Sequence, residues 1–487
     1  MEESAIDSGA SWRGRLGMAL VPLAGLVTAV APLGLPPKAH RVAAIFAAVI
    51  VAWVTEVVPI AVTSLLIPPA LVIAGITTAP EAFAPFGDPL LFLFIGGFFL
   101  ANAMSRHGLD RRLATGLLTL PFIAGRAPRT RAAFMLAASL VSMWISNSAT
   151  TAILVPILLG TLAGHESHGP EERARLSGFA ESGILAVAYA SSLGGLGTLV
   201  GTPPNGITMR FLNEAGIRFG FVDWLKIGVP VSLVLSGIAL AVVHLRTGGL
   251  DRELVLAPAR VEASAWNRGE RVTLVAFLLA VAGWVLPDLL AAVGSPVGEP
   301  LKKALPEGVV AVVASSLVFF LRDERGDRVL PWDEAVKIDW GLLLLFAGGI
   351  SLGKQIFETG LAAHLGRAFV ASAGISTVWE LTAIVIVFSL VVTEVASNTA
   401  CASMVLPLVL AVCGELHVSP IAPALGAGMA ATCGFMLPIA TGPNAIAYGT
   451  GRVKVGTMMR TGIVLDVLCC LALFVLLRLL CPLYGWS

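Results

Sequence analysis

The sequence predicts an all-α polytopic membrane protein built from two related halves. Three observations carry that prediction. The 487 residues are 56% apolar and only 13% charged, with a mean hydropathy of +0.87. A soluble protein carries about 25% charged residues. Apolar runs near the ~20 residues of a bilayer span recur along nearly the whole chain. Short polar motifs of the first half reappear, in the same order, in the second. The alternating ~10-residue segments of a β-barrel do not occur in the sequence. With 32 basic against 31 acidic side chains the formal charge is +1. There is no basic domain, so nucleic acid is not an expected partner. No Walker loop, HExxH or nucleophile elbow occurs, so neither an ATP-driven pump nor a membrane hydrolase has support.

Taken in order, spans are read near 16–35, 41–58, 60–76, 90–104, 179–212, 221–246, 271–291, 306–322, 340–356, 419–450 and 456–482, eleven in all. Residues 1–40 hold an N-terminal segment and the first span. The acidic start, Glu2-Glu3, and the length of the apolar run favour a retained helix over a cleaved leader. The stretches 131–162 and 376–412 are too long for one crossing, and polar residues interrupt each near its middle. At 1.5 Å per residue each accommodates a re-entrant pair of half-helices. The spans 179–212 and 419–450 are also overlong, and each contains a Gly/Pro break. The polar segment 247–270 is read as a linker between repeat 1 (41–246) and repeat 2 (271–487). The six cysteines lie in the second half without a CxxC pair and are read as packing residues. His165-Glu166-Ser167-His168 is read as a solvated loop.

The duplication rests on five collinear matches. Phe94-Ile95-Gly96-Gly97 pairs with Phe346-Ala347-Gly348-Gly349, and Gly108-Leu109 with Gly360-Leu361. Ser146-Asn147 pairs with Ser397-Asn398, each followed by a proline, Pro156 or Pro407. Thr202-Pro203-Pro204-Asn205 pairs with Thr441-Gly442-Pro443-Asn444, and Lys226-Ile227-Gly228 with Lys454-Val455-Gly456. The offset between copies only shrinks along the chain, as small deletions in the second copy produce. If the two polar-centred hairpins do not cross, each repeat holds five spans. An odd number makes the copies opposite in topology, the inverted repeats of secondary transporters. The cluster Arg106, Arg111, Arg112, Arg126, Arg129 and Arg131 places the N-terminus inside and the C-terminus outside.

The interrupted stretches centre on Ser142 to Thr151 and on Thr393 to Ala400. Hydroxyls and amides at mid-membrane must find partners. A lone Ser-Asn in a span is ordinary helix–helix glue. Two copies at matched positions point instead to an ion and anion site. The N–H groups at a half-helix N-terminus hold a carboxylate, and the carbonyls of a half-helix C-terminus hold Na⁺. Charged residues at apparent membrane depth are Glu56, Glu181, Lys354, Glu358, Glu394 and Asp466. Glu394, beside the second motif, is read as its structural partner rather than as a ligand.

At these residues the chain resembles the divalent anion:sodium symporter family, also called INDY-like. The signatures are Ser146-Asn147-Ser148, Ser397-Asn398-Thr399, the two breaks at Thr202 and Thr441, and Met436 to Ile446. The resemblance covers about 40 to 480. It implies eleven transmembrane helices plus two re-entrant hairpins in an ion-transporter-superfamily fold, and a homodimer whose transport domains move like elevators against a scaffold. It implies one Na⁺ at Ser142, Ser146, Asn147 and the Gly201 carbonyl. A second would lie at Thr393, Ala396, Asn398 and Ala440, partly through backbone. The substrate would meet Asn147, Ser148, Thr202, Pro203, Asn398, Thr399, Thr441 and Pro443. Two departures stand out: Ser148 replaces the first signature's threonine, and Gly442 the first proline of the second break. The function implied is transport of a dicarboxylate such as succinate, malate or fumarate, coupled to Na⁺, in a bacterial-type inner membrane. The alternatives are a Na⁺-independent dicarboxylate exchanger of the same fold and a transporter of citrate, sulfate or another oxyanion.

Overall fold

The computed structural model describes residues 12–118, 126–162, 169–246, 254 and 265–486. Most of the linker expected at 247–270 and the loop 165–168 lie outside the described residues. Helix α1 (Trp12–Val30) comes first. Then follow α2 (Pro37–Thr55), α3 (Ile60–Ile73), the short α4 (Ala79–Phe83), α5 (Pro89–His107), α6 (Leu109–Leu118), α7 (Ala127–Ser142), α8 (Asn147–Gly160), α9 (Pro170–Gly194), α10 (Pro203–Glu214) and α11 (Phe221–Arg246). The later half runs α12 (Arg268–Ala292), the short α13 (Gly298–Ala304), α14 (Glu307–Phe320), the short α15 (Trp332–Ala335), α16 (Trp340–Glu358), α17 (Leu361–Ala373), α18 (Val378–Thr393), α19 (Asn398–Leu416), α20 (Ile421–Ala430), α21 (Gly442–Gly449) and α22 (Val455–Leu483).

Local chemistry sets these boundaries. Proline opens α2, α5, α9 and α10, where its fixed φ suits a helix and its missing N–H costs nothing. Capping boxes start α12 (Asn267 with Glu270) and α18 (Thr377 with Glu380). Gly108 and Gly360 take left-handed φ of 76° and 80° and turn the chain sharply out of α5 and α16. The short amphipathic helices α6 and α17 follow those turns at matched places; the sequence reading assigned no element there.

Among the described residues, eight stretches of helix are long and apolar enough to cross a bilayer, or nine if α13 and α14, bent by 72°, form one span. Shorter apolar helices include α3, α8, α18 and α20. The interrupted stretches are each two helices. α7 and α8, of 16 and 14 residues, are joined by 143–146. At about 24 and 21 Å neither limb spans a hydrocarbon core of about 30 Å. α18 and α19 meet in the same way around 394–397; α18, of 16 residues, is a short limb, whereas α19, of 19 residues, is one of the span-length helices, unlike its counterpart α8. The Gly/Pro breaks are real as well: α9 stops at Gly194 and α10 restarts at Pro203, while α20 stops at Ala430 and α21 restarts at Gly442.

The halves pack crosswise. α5 lies on α14, and α16 on α3. The glycines of the Phe-x-Gly-Gly motifs permit it. A Cβ on Gly96 would stand 2.5 Å from the Ala311 carbonyl carbon, and one on Gly348 would overlap the Ser64 carbonyl oxygen. Asn102, near the end of α5, donates to the carbonyls of Glu334 and Lys337 just before α16, at 3.4 and 3.3 Å. α5 therefore ends on the side where α16 begins, and the two matched helices run in opposite directions. The same side gathers the Arg112–Glu270 ion pair (2.8 Å), Arg112 stacked 4.7 Å from the centre of Trp266, and the Ala127 N–H bonded to the Leu254 carbonyl at 3.0 Å.

Candidate functional site

Both hairpin tips are built alike. Ser146 caps α8, its hydroxyl accepting the Ala149 N–H at 3.2 Å; Ser397 caps α19, accepting the Ala400 N–H at 3.2 Å. Ser142 Oγ donates to Asn147 Oδ1 at 2.7 Å, and Thr393 Oγ1 reaches Asn398 Oδ1 at 2.8 Å. The asparagines are thus oriented by a hydroxyl at the end of the preceding helix.

The breaks are also built alike. The Asn205 amide donates to the carbonyls of Gly195 (2.8 Å) and Thr198 (2.7 Å). The Asn444 amide donates to those of Gly434 (3.1 Å) and Leu437 (3.0 Å). Each amide closes the gap between two half-helices and satisfies carbonyls that the break releases. The Oδ1 atoms of both asparagines are buried without a hydrogen-bond partner. Thr202 and Thr441 precede the restarting helices with the same extended backbone, φ −150° and −141°.

Each tip is tied to the break of its own half. Thr198 Oγ1 donates to the Met143 carbonyl. In the other half Glu394 does the work. Its carboxylate accepts the N–H groups of Phe435 (2.7 Å), Met436 (3.0 Å) and Leu437 (3.2 Å). That is the structural role read from the sequence. Across the halves, α8 packs on α21 and α19 on α10, so a half-helix N-terminus of one copy meets one of the other.

The donor set suits a small hard cation. A Cβ on Gly195 would stand 2.5 Å from Asn147 Oδ1 and 3.1 Å from the Gly201 carbonyl oxygen. One on Gly201 would stand 3.0 Å from the Met143 carbonyl oxygen. Neutral oxygens thus converge on a cradle that any side chain at 195 would fill. In the second half a Cβ on Gly434 would meet methyl carbons first, Ala440 Cβ at 3.3 Å and Thr393 Cγ2 at 3.4 Å, so Gly434 opens no matching set of neutral oxygens. The expected Na⁺ residues Ser142, Asn147 and Gly201 therefore come together, as do Thr393, Asn398 and Ala440. At Ser146 the hydroxyl accepts the Ala149 N–H and the carbonyl the Thr150 N–H, each keeping a second lone pair, while Ala396 has only backbone to offer.

Among the expected substrate residues, Asn147, Ser148, Pro203 and Asn398 are half-buried, while Thr202, Thr399, Thr441 and Pro443 are buried. Ser148 lies directly against Gly442. None of them lines the cavity of about 620 Å³ at the far ends of α10 and α19, walled by Arg210, Glu214, Lys354 and Glu358. There Arg210 pairs with Asp88 (2.7 Å) and Glu214 (3.0 Å). Sequence reasoning missed the cradle glycine Gly195 and the clamping role of Asn205 and Asn444. The matched asparagine closing each Thr-x-Pro-Asn motif was the available signal.

Comparison with known proteins identifies the family. The family model described as the sodium:sulfate symporter transmembrane region matches residues 11–486. The sodium-dependent dicarboxylate transporter SdcS of Staphylococcus saprophyticus is 33% identical over 484 residues, 96% of this chain and 91% of that protein. SdcS of Staphylococcus aureus strain USA300 is 33% identical over 470 residues, 92% of this chain and 87% of that protein. In fold, the chain is similar to the crystal structure of the Alcanivorax borkumensis YdaH transporter. That likeness has a TM-score of 0.52 at 14% identity and covers 83% of this chain and 87% of that one. On the match to its family model along nearly its whole length, the chain belongs to the sodium:sulfate symporter transmembrane family, whose members are transporters and not enzymes.

Proposed function

We propose that the protein is a Na⁺-coupled symporter of dicarboxylates of the succinate, malate or fumarate class. One observation carries the reading: matched hydroxyl–asparagine pairs at two hairpin tips, each beside a broken helix, in a chain similar to sodium-dependent dicarboxylate transporters. One Na⁺ would be held by Asn147 Oδ1, the Ser142 hydroxyl, Ser146 and the carbonyl of Gly201. The other would be held by Asn398, Thr393 and the carbonyls of Ala396 and Ala440. The substrate carboxylates would meet the Asn147 and Asn398 amides, the hydroxyls of Ser148, Thr399, Thr202 and Thr441, and the half-helix starts at Pro203 and Pro443.

Coupling follows from charge. Neither motif contains Lys or Arg. A dianion taken alone into this low-dielectric site would lack a counter-charge, at a cost of several kcal/mol. Two sodium ions and the positive ends of the half-helices supply the balance. Each asparagine serves both ligands, its oxygen facing the cation and its N–H groups the carboxylate, so one ligand pre-orients it for the other. We further propose inverted repeats, an eleven-helix homodimer with elevator motion, and an inner-membrane location with the N-terminus cytoplasmic and the C-terminus outside. The antiparallel course of α5 and α16 supports the inversion.

The test is succinate uptake into proteoliposomes, with and without an inward Na⁺ gradient and with and without internal succinate. Na⁺-driven accumulation in empty vesicles is expected. Uptake confined to preloaded vesicles and indifferent to Na⁺ would establish an exchanger instead. The sodium-dependent relatives favour the symporter.

A further inference from the structure

The two copies of the site motifs diverge at two positions, and those positions touch. Ser146-Asn147-Ser148 faces Ser397-Asn398-Thr399 with Ser148 in place of Thr399. Thr202-Pro203-Pro204-Asn205 faces Thr441-Gly442-Pro443-Asn444 with Gly442 in place of Pro203. A Cβ built on Gly442 would overlap Ser148 Oγ and stand 3.2 Å from Ser148 Cβ. The backbone does not require this glycine. Gly442 is absent from the positive-φ residues, and the preceding Thr441 has the same extended conformation as Thr202, which precedes a proline. What the glycine changes is space. Ser for Thr removes one methyl, and Gly for Pro removes three ring carbons. Both losses fall in the same half of the site, where α8 meets α21. Gly442 is exposed and Ser148 half-buried, whereas Thr399 is buried and Pro203 half-buried. Ser148 Oγ has no hydrogen-bond partner among the described residues and leans into the vacated volume. Glycine at the first position of α21 also carries an N–H that proline lacks and that no carbonyl of its own helix can accept.

Resting on the dicarboxylate reading above, we propose that Ser148 and Gly442 form a specificity pocket for a branch on carbon 2 of a succinate-type dicarboxylate, as large as a carboxymethyl group. The Thr399–Pro203 half grips the unbranched end. The branch displaces Ser148 Oγ from the space over Gly442, and the Gly442 N–H faces a polar branch. The four missing carbons match the four heavy atoms of a carboxymethyl substituent.

The test uses the full-length protein in proteoliposomes under an inward Na⁺ gradient, with labelled succinate, 2-methylsuccinate and tricarballylate as probes. The readout is uptake efficiency for each branched acid divided by that for succinate. Wild type is expected to take the branched acids within about tenfold of succinate. Gly442→Ala, which keeps the N–H but fills the space, lowers the ratio about tenfold or more, on the scale of one methylene in a fitted pocket. Ser148→Thr lowers it in the same direction without touching the start of α21, and so guards against a folding defect in the glycine variants. Gly442→Pro, which loses both space and donor, lowers the tricarballylate ratio further than Gly442→Ala does. A ratio unchanged in Gly442→Ala and Ser148→Thr, with succinate still transported, overturns the pocket and leaves the dicarboxylate reading standing. Absence of wild-type succinate uptake overturns the dicarboxylate reading and the pocket with it.

Discussion

Gly195→Ala and Gly434→Ala make the same change at matched places and have unequal consequences. An added Cβ at 195 meets Asn147 Oδ1 at 2.5 Å and the Gly201 carbonyl oxygen at 3.1 Å. Even the closest Cβ contacts begin at 3.0 Å, so the amide must retreat by at least half an ångström. It is not free to do so, because Ser142 holds the same oxygen at 2.7 Å. A displacement of this size in a fitted site costs up to about 100-fold. Gly195→Ala is therefore expected to weaken apparent Na⁺ affinity about 10- to 100-fold, or about 1.4–2.7 kcal/mol. Gly195 opens a short 3₁₀ turn with φ −55°, which alanine adopts without strain, so the fold survives. At 434 the nearest atoms lie at 3.3, 3.4 and 3.6 Å, within reach of small adjustments. Gly434→Ala should stay within about 0.5 kcal/mol of wild type. The assay is initial succinate uptake against external Na⁺ in proteoliposomes, with size-exclusion profiles confirming intact protein. A Gly195→Ala variant with wild-type Na⁺ dependence, or a Gly434→Ala variant more damaged than it, would refute the cradle.

Asn147→Ala and Asn398→Ala should each abolish uptake while eluting as wild type does; transport at the wild-type rate by either removes the site assignment. Glu394→Ala strands three backbone N–H groups of residues 435–437, each worth about 1–3 kcal/mol when buried and unsatisfied. Its melting temperature in detergent should fall clearly, with Glu394→Gln in between. An unshifted Glu394→Ala would show that the carboxylate does not hold that loop. Gly96→Ala forces α5 from α14 at a backbone contact and should cost about 1–3 kcal/mol of stability, read as earlier thermal aggregation. Aggregation at the wild-type temperature would count against the close approach.

The hairpins and breaks were legible because polar residues inside an overlong apolar stretch have nowhere to go but a site or a gap. Ser142, Asn147, Thr393 and Asn398 announced themselves that way, and matched copies raised the signal above ordinary helix glue. The short helices α6 and α17 were not legible. Ten to thirteen amphipathic residues make no span-length run, and only the glycines before them, Gly108 and Gly360, left a mark. The cradle was harder still. Gly195 acts by the atom it lacks, and a missing Cβ becomes meaningful only when its would-be neighbours are known. The contact of Ser148 with Gly442 had the same character: each stood out alone in the sequence, and only the packing of α8 on α21 made them a pair.

The crosswise seating of α5 on α14 and α16 on α3 also has a consequence in time. Ser64 on α3 cannot receive Gly348 until about 280 further residues have left the ribosome, which at about 5–20 residues per second takes about 14 to 57 s. For that interval the small-residue face of α3 stands in the bilayer without its partner, open to lipid or to other nascent helices. An N-terminal half made alone would never close that face. Each half is the other's chaperone, and the two should be recoverable as co-expressed fragments far better than singly.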